Sequence, residues 1–435
     1  MSTVPGVTAA QPEGRGFGLL WLGEGVSVLG SATAGVLLPL VAVVSFGAGP
    51  VWMGLLSAAA WIPWLAVGLP AGAWVDRLPA RSVMIAADLA AALLVVSVPL
   101  AWWAGVLTLP HLLAVALLSG TCAVFFRTAY MAILPQVVPG AALETANARL
   151  FGTESAAQVA GPGLAGLLAR VVAPAAGLLV DAVSYLVSAV CLWRVRPRPR
   201  PALPPAEPLR TQIGVGLRLV LRDPYLRWLS GLGGVSNLGL TGYQALLVLY
   251  LVRDLRVPPP QVGLLLALGA AGGVLGAVLG APASRRWGSG RASTGFMVLS
   301  GPPALLLPLA APGAGTALVV AGLFLVGTGV VAGNVVRAAW RQRYVPPAVM
   351  GRVLVTMAVV NYGTMPLGAL LAGGLAAVAG TRTTVAVMAS VHLLATLGVL
   401  VSPLGRSRAL PDPVVEPGPQ PEPSGSIAGS ARRGV

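Results

Sequence analysis

The stretch Gly68-Leu-Pro-Ala-Gly72-Ala-Trp-Val-Asp76-Arg77-Leu-Pro-Ala-Arg81 decides how this chain is read. It closes a long apolar run with small residues four apart, on one helical face, and then turns into a short basic loop. The pattern returns 208 residues later as Gly276-Ala-Val-Leu-Gly280-Ala-Pro-Ala-Ser284-Arg285-Arg286. Working outward, Gly54-Leu55-Leu56 opens the first run and Gly263-Leu264-Leu265 opens the second; Arg127 precedes Pro135 much as Arg337 precedes Pro346. A duplicated bundle of membrane helices is the simplest cause of such an echo.

Composition supports that reading. Hydrophobic residues make up 56% of the 435 positions and charged ones 9%, with a mean hydropathy of +0.84. Apolar runs of about 20 residues are long enough to span a bilayer, and with no water in the hydrocarbon the backbone must satisfy itself as helix. Twelve such runs are predicted, at 17–42, 50–73, 82–104, 109–133, 143–168, 174–193, 226–251, 260–283, 292–311, 314–338, 351–379 and 382–404. The expected class is an all-α integral membrane protein of two pseudo-symmetric six-helix bundles. The expected organisation is a cytoplasmic segment 1–16, a first bundle 17–193, a linker 194–225, a second bundle 226–404 and a disordered tail 405–435. No cleavable leader is expected, because Met1 to Gly16 is polar and the first apolar run is long enough to span.

The net charge of +15 reports topology. Lysine is absent, and 24 of the 28 arginines fall on one side of the predicted spans, leaving Arg170, Arg253, Arg256 and Arg382 on the other. The positive-inside rule then places both termini in the cytoplasm, which an even number of spans requires. Nucleic-acid binding is not expected. The lysine-free, Ala/Gly/Arg-rich composition points to a bacterial chain, so a multi-pass protein of the bacterial inner (plasma) membrane is the expected setting, with membrane lipid around it and a monomer as its assembly. The linker Arg194 to Gln212, rich in Pro and Arg, is expected to interrupt the helix and to touch anionic lipid headgroups, with a partner-binding segment as the alternative. Residues 213–222 are expected to lie along the membrane surface. Most tryptophans read as an interfacial belt, Trp340 among those near the basic side.

No cofactor, metal site or enzymatic reaction is expected. Cys122 and Cys191 are isolated within spans, His111 and His392 lack a second ligand at helical spacing, and no phosphate-cradling or zinc-protease motif is present. The informative residues are acids within spans, each of which costs about 2.5–3.5 kcal/mol at a helix centre. They are Glu24, Asp88, Glu154 and Asp181, all in the first half; from Ser230 to Leu410 the single acid is Asp254, in a loop. Glu154, Glu24 and Asp181 are therefore the candidates for taking up and releasing a proton, with hydrogen bonding to a neighbouring helix as the alternative for each. Asp88 is expected to pair with Arg81 or Arg127. Trp61, Tyr243 and Tyr362 are candidates to line an apolar cavity, and Gln244, Asn334 and Asn361 to orient a ligand there, against ordinary helix packing.

The loop from Gly72 to Arg81 resembles the signature between helices two and three of the major facilitator superfamily, Gly-x-x-x-Asp-Arg/Lys-x-Gly-Arg/Lys-Arg/Lys. It keeps Gly72, Asp76, Arg77 and Arg81 and departs at Pro79 and Ala80. The resemblance implies a cytoplasmic gate formed by Gly72, Asp76, Arg77 and Arg81. Gly161-Pro162 and Gly166, in Ala157-x3-Gly161-Pro162-x-x-Ala165-Gly166, resemble the antiporter motif Gly-x-x-x-Gly-Pro-x-x-Gly-Gly of exporters. Shorter matches, from Trp21-Leu-Gly23 to Pro366-Leu-Gly368, are similar to the branch of macrolide-efflux proteins, the enterobactin exporter and transmembrane secretion effectors. Ser31 stands where relatives often carry an acid. The resemblance implies proton-coupled export of a hydrophobic or amphipathic small molecule by alternating access. An importer or facilitator of the same fold, or a membrane partner that transports nothing, are the alternatives.

Overall fold

The computed structural model describes residues 14–75, 77–198, 209–405 and 407–411. Asp76, Arg406, residues 1–13, residues 199–208 of the linker and residues 412–435 of the tail lie outside the described residues. Within them all regular structure is helical: α1 (Arg15–Phe46), α2 (Pro50–Ala66), α3 (Gly68–Val75), α4 (Ala80–Trp103), α5 (Leu109–Val137), α6 (Leu143–Val171), α7 (Pro174–Gly177), α8 (Leu179–Arg194), α9 (Leu209–Arg222), α10 (Pro224–Leu249), α11 (Pro259–Trp287), α12 (Ser289–Ser300), α13 (Leu306–Leu309), α14 (Ala317–Tyr344), α15 (Pro347–Ala379) and α16 (Thr381–Leu397). Proline punctuates them. It opens α2, α10, α11 and α15, where a missing N–H costs nothing. Pro70 denies Ala66 its helical donor, so the second predicted span is not continuous but breaks at Val67 into α2 and α3. The ninth breaks likewise at Pro302 and Pro303, between α12 and α13.

Ten helical stretches among the described residues are long and apolar enough to cross a membrane by length and composition. Of the remaining two predicted spans, α2 is shorter, and α6 carries Glu144, Arg149, Glu154 and Arg170 along 29 residues. In the first half α1 lies between α6 and α8, and α4 between α5 and α8, while α2 packs on α5; in the second, α10 lies against α15 and α16, and α14 between α11 and α12. Two main crossings join the halves, α2 with α15 and α6 with α11.

These crossings explain part of the sequence echo. A Cβ on Gly54 would lie 2.6 Å from the Ala369 carbonyl oxygen and 2.9 Å from Cα of Gly373. A Cβ on Gly263 would lie 2.2 Å from the Pro162 carbonyl oxygen and 2.4 Å from the Gly166 nitrogen. Only glycine lets the backbones meet at either place. The echoed glycines thus occupy matching positions, each where its helix crosses the other half.

The buried apolar residues fall into clusters that differ at the two faces. Toward the end of α1 remote from Arg15, one core contains residues of both halves, among them Leu37, Leu40, Val41, Met53, Leu246, Tyr250 and Val262. At the face carrying the arginine-rich loops the cores separate. Phe17, Leu20, Met84, Ile133 and Leu150 form one cluster from the first half alone. Leu226, Leu229, Trp340, Val353 and Met357 form another from the second alone. The halves are therefore sealed to each other at the arginine-poor face and parted at the basic face. Trp340, expected at the interface, is instead buried, stacked on Tyr344 and hydrogen-bonded to the Pro411 carbonyl. Helix α9 is laid against α15, where a Cβ on Gly216 would meet the Arg352 carbonyl oxygen at 2.4 Å.

Candidate functional site

The parting of the halves leaves a central cavity in three adjoining parts of about 470, 640 and 680 Å³. The first two share Ser31, Gly35, Trp61 and Tyr185 in their walls, and the last two share Tyr362. An aromatic cluster joins the halves across it. Tyr362 of α15 stacks on Trp61 of α2, with ring centroids 5.9 Å apart, and meets Trp64 at 5.7 Å. Trp61, Tyr362, Gln244, Asn334 and Asn361 all line the cavity. Tyr243 does not: its side chain points into the two-half core, fully buried, with its hydroxyl unpaired. One helical position separates it from Gln244, a turn of about 100°, so Gln244 reaches the cavity wall while Tyr243 faces the core.

The charged centre is one that the sequence showed only in part. Arg127, grouped with the basic loops from its sequence, lies well inside α5. Its guanidinium stands 3.6 Å from the Glu154 carboxylate of α6 and 4.0 Å from that of Glu24 in α1. These are the two salt bridges among the described residues, and both fall on this arginine. Arg127 also lies 5.8 Å from the centroid of the Tyr130 ring. Glu24 is the more buried carboxylate, with Oε2 unpaired, while Glu154 is exposed to the cavity. Two carboxylates and one guanidinium leave one net negative charge, which a single proton or a ligand cation neutralises. The signal available in the sequence was that Arg127 sat inside its own predicted span, 109–133.

Asp181 lies apart from this trio. It is buried at the cavity wall, with Oδ1 3.4 Å from the hydroxyls of Ser31 and Ser184. Ser31 in turn is 3.0 Å from the Tyr185 hydroxyl. Here α8 supplies a carboxyl beside the position of α1 where the resemblance leads one to expect an acid. Gly30 permits it, since a Cβ there would lie 2.8 Å from the Asp181 carboxylate. Asp88 is buried in α4 and does not form the expected salt bridge with Arg81 or Arg127.

Of the four gate residues, Asp76 is outside the described residues. Arg77 is exposed, and Arg81 donates to the Leu192 and Trp193 carbonyls, completing the end of α8 within its own half. A Cβ on Gly68 or Gly72 would meet nothing within 4 Å, whereas the echoed Gly276 and Gly280 are pressed against α14. Gly161 and Gly166 are both close contacts of α6. A Cβ on the first would lie 2.5 Å from that of Ala32 in α1, and on the second 2.5 Å from the Pro260 carbonyl oxygen at α11. Pro162 lies between them, its carbonyl against Gly263.

The second half contributes an uncharged or basic wall. Asn237 donates to Asn361 at 3.3 Å, and Asn334 accepts from Arg337 at 2.8 Å. Arg337 and Arg341, grouped with the loops from sequence, both lie within α14 and line this wall.

Helices of two halves, joined at two crossings around a polar and aromatic cavity, define a multi-pass membrane carrier. The chain belongs to the Major Facilitator Superfamily, whose family profile matches residues 20–363 and 229–431. It is 30% identical to an uncharacterized MFS-type transporter of Sinorhizobium fredii over 74% of this chain and 80% of that one. It is 29% identical to the multidrug efflux pump Tap of Mycolicibacterium fortuitum over 82% of this chain and 88% of the pump. Among solved structures it is similar to a bacterial homologue of the iron transporter ferroportin. Against the inward-facing state the identity is 20% and the TM-score 0.72, covering 90% of this chain and 99% of that one. Against the outward-facing state with soaked iron the TM-score is 0.59, covering 88% and 97%.

Proposed function

We propose that this protein is a secondary active exporter of a hydrophobic or amphipathic small molecule, driven by proton antiport. The observation that carries the reading is the Glu24–Arg127–Glu154 cluster, which borders the same cavity as the Trp61–Trp64–Tyr362 aromatics. Proton and substrate sites that share one cavity can be coupled, because occupancy of one changes the charge met by the other. Export is favoured by the Gly161-Pro162 and Gly166 segment and by similarity to an efflux pump. We place the chain in the bacterial plasma membrane as a monomer of twelve crossings, with both termini and the basic face cytoplasmic. The described state, parted at the basic face, is then the inward-facing one.

In this reading substrate enters between the parted halves and rests against Trp61 and Tyr362, with Gln244, Asn334 and Asn361 as polar contacts. The cluster of two carboxylates and Arg127 is turned from one side of the membrane to the other neutral when it holds one proton, and charged when empty. Protonation of Glu154 from outside favours return to the inward-facing state. Asp76 and Arg77 latch the cytoplasmic side when it closes. Glu154→Gln protein in liposomes is expected to lose export driven by a pH gradient while retaining substrate binding. Undiminished pH-driven export by that variant refutes the coupling assignment, and uptake rather than expulsion in cells carrying the gene refutes the direction.

A further inference from the structure

The basic wall of the second half has no use in that cycle. Arg337 is 9% exposed, and its guanidinium folds back along its own helix over Gly333, where a Cβ would lie 2.7 Å from Nη1. Asn334 takes one donor, at 2.8 Å from Nη2. Nη1 of Arg337 and Nε of Arg341 are buried without a hydrogen-bond partner. The two arginines are one helical turn apart, so their like charges oppose each other. Their part of the cavity, about 680 Å³, has no carboxylate in its lining among the described residues. Of the acids lining the other parts of the cavity, Glu24 and Glu154 are already on Arg127, and Asp88 and Asp181 stand on α4 and α8 of the first half. A buried guanidinium without a counter-ion is costly to hold and in a membrane span marks a site for an anion.

We propose that Arg337 and Arg341 form an anion subsite, and that the substrate is an amphipathic molecule carrying a carboxylate, sulfonate or phosphate. This rests on the exporter reading and narrows its substrate class. The planar fork of a guanidinium suits two oxygens of such a group. Tyr362, in the wall of the same part of the cavity, receives the apolar body, and the Asn237–Asn361 pair lies beside it. The cavity is thereby divided by charge: a proton site in the first half and an anion site in the second. A cationic substrate would meet two guanidinium groups that have no carboxylate partner among the described residues.

The test uses two probes that differ by one group, 8-anilino-1-naphthalenesulfonate and N-phenyl-1-naphthylamine, which is the same skeleton without the sulfonate. Binding is measured to the full chain in lipid nanodiscs, with empty nanodiscs subtracted. The anionic probe is expected to bind at least tenfold tighter than the neutral one. Arg337→Gln and Arg341→Gln are each expected to remove most of that preference while leaving the neutral probe's affinity within twofold, and Arg337→Lys to retain part of it. If Arg337→Gln does not fold, Arg341→Gln decides alone. Equal affinity for the two probes, failure to bind the anionic one, or a preference unchanged in the variants overturns the proposal. So does equal weakening of both probes, which marks a structural role, and so does altered opening of the basic face with unaltered preference, which marks a gate. Export is read separately in liposomes. Movement of the neutral probe driven by a pH gradient, with no anion preference in binding, overturns this inference and leaves proton-coupled export standing. Anion preference with no pH-driven movement of either probe does the reverse.

Discussion

Replacing Gly263 by alanine tests how the arginine-poor face is held shut. The added methyl would sit 2.2 Å from the Pro162 carbonyl oxygen, about 1.2 Å inside an ordinary 3.4 Å contact, and 2.7 Å from Cα of Gly166. Every one of these neighbours is backbone, so no side chain can turn away; α6 and α11 must separate. Overpacking of this kind costs about 1–3 kcal/mol. That cost falls on the state in which the two helices touch, so it shifts the population toward the alternative by about 5- to 150-fold. The assay is labelling by a membrane-impermeant maleimide of a cysteine placed at Val41, in a chain with Cys122 and Cys191 replaced by serine. Val41 is fully buried in the core shared by both halves, so opening of that face is expected to expose it. Gly263→Ala is expected to speed labelling at least fivefold. Gly54→Ala is expected to act in the same direction but less, its closest neighbour being the Ala369 carbonyl at 2.6 Å. Gly18→Ala, whose Cβ meets nothing within 4 Å, is the control. Labelling of the Gly263→Ala protein at the parent rate would refute the claim that this crossing is the seal.

Glu24→Gln is expected to weaken pH-driven export less than Glu154→Gln, because Glu24 is the farther and less exposed partner of Arg127; the comparison is made in the same liposomes. Tyr362→Ala removes a ring on which the substrate is proposed to rest, a contact worth about 0.5–1.5 kcal/mol, so substrate affinity should fall roughly 2- to 12-fold with the fold intact. Tyr243→Phe should leave export unchanged and raise thermal stability, since it deletes a hydroxyl that is buried and unpaired. His392→Ala should lower the melting temperature, with a loss of roughly 2–4 kcal/mol from the cavity and the abandoned partners, without altering coupling. Its ring is fully buried between the Ser236 hydroxyl at 2.9 Å and the Ser300 carbonyl at 3.1 Å.

How far the sequence could be read depended on the kind of constraint. Apolar runs named the helices because a bilayer demands length and composition from each segment separately. The breaks at Val67 and after Ser300 were legible too, in Pro70 and in Pro302-Pro303, had local backbone chemistry been weighed against the apolar average. Cavity residues on both sides of the bundle, Trp61 and Tyr362, were found because mid-span aromatics escape the interfacial belt. Tyr243 shares that signature and lies in the core instead, since a helical pattern shows that two neighbours diverge without showing which one faces the cavity. Arg127 and Arg337 were misplaced by counting arginines as loop charge, a rule that holds on average and fails for the few that carry a site.

The sequence by itself determined that this is a helical membrane protein with a doubled plan, and that its embedded acids belong to one half, because those properties reside in single segments. Only the tertiary structure decided what each part of the repeat is for. It put Gly54 against Gly373 and Gly263 against Gly166, left Gly72 in open space, and brought Arg127 between two acids on different helices. Each of these is a meeting of residues distant in the chain. Which meetings occur depends on how whole helices cross, and spacing along one helix carries no information about that.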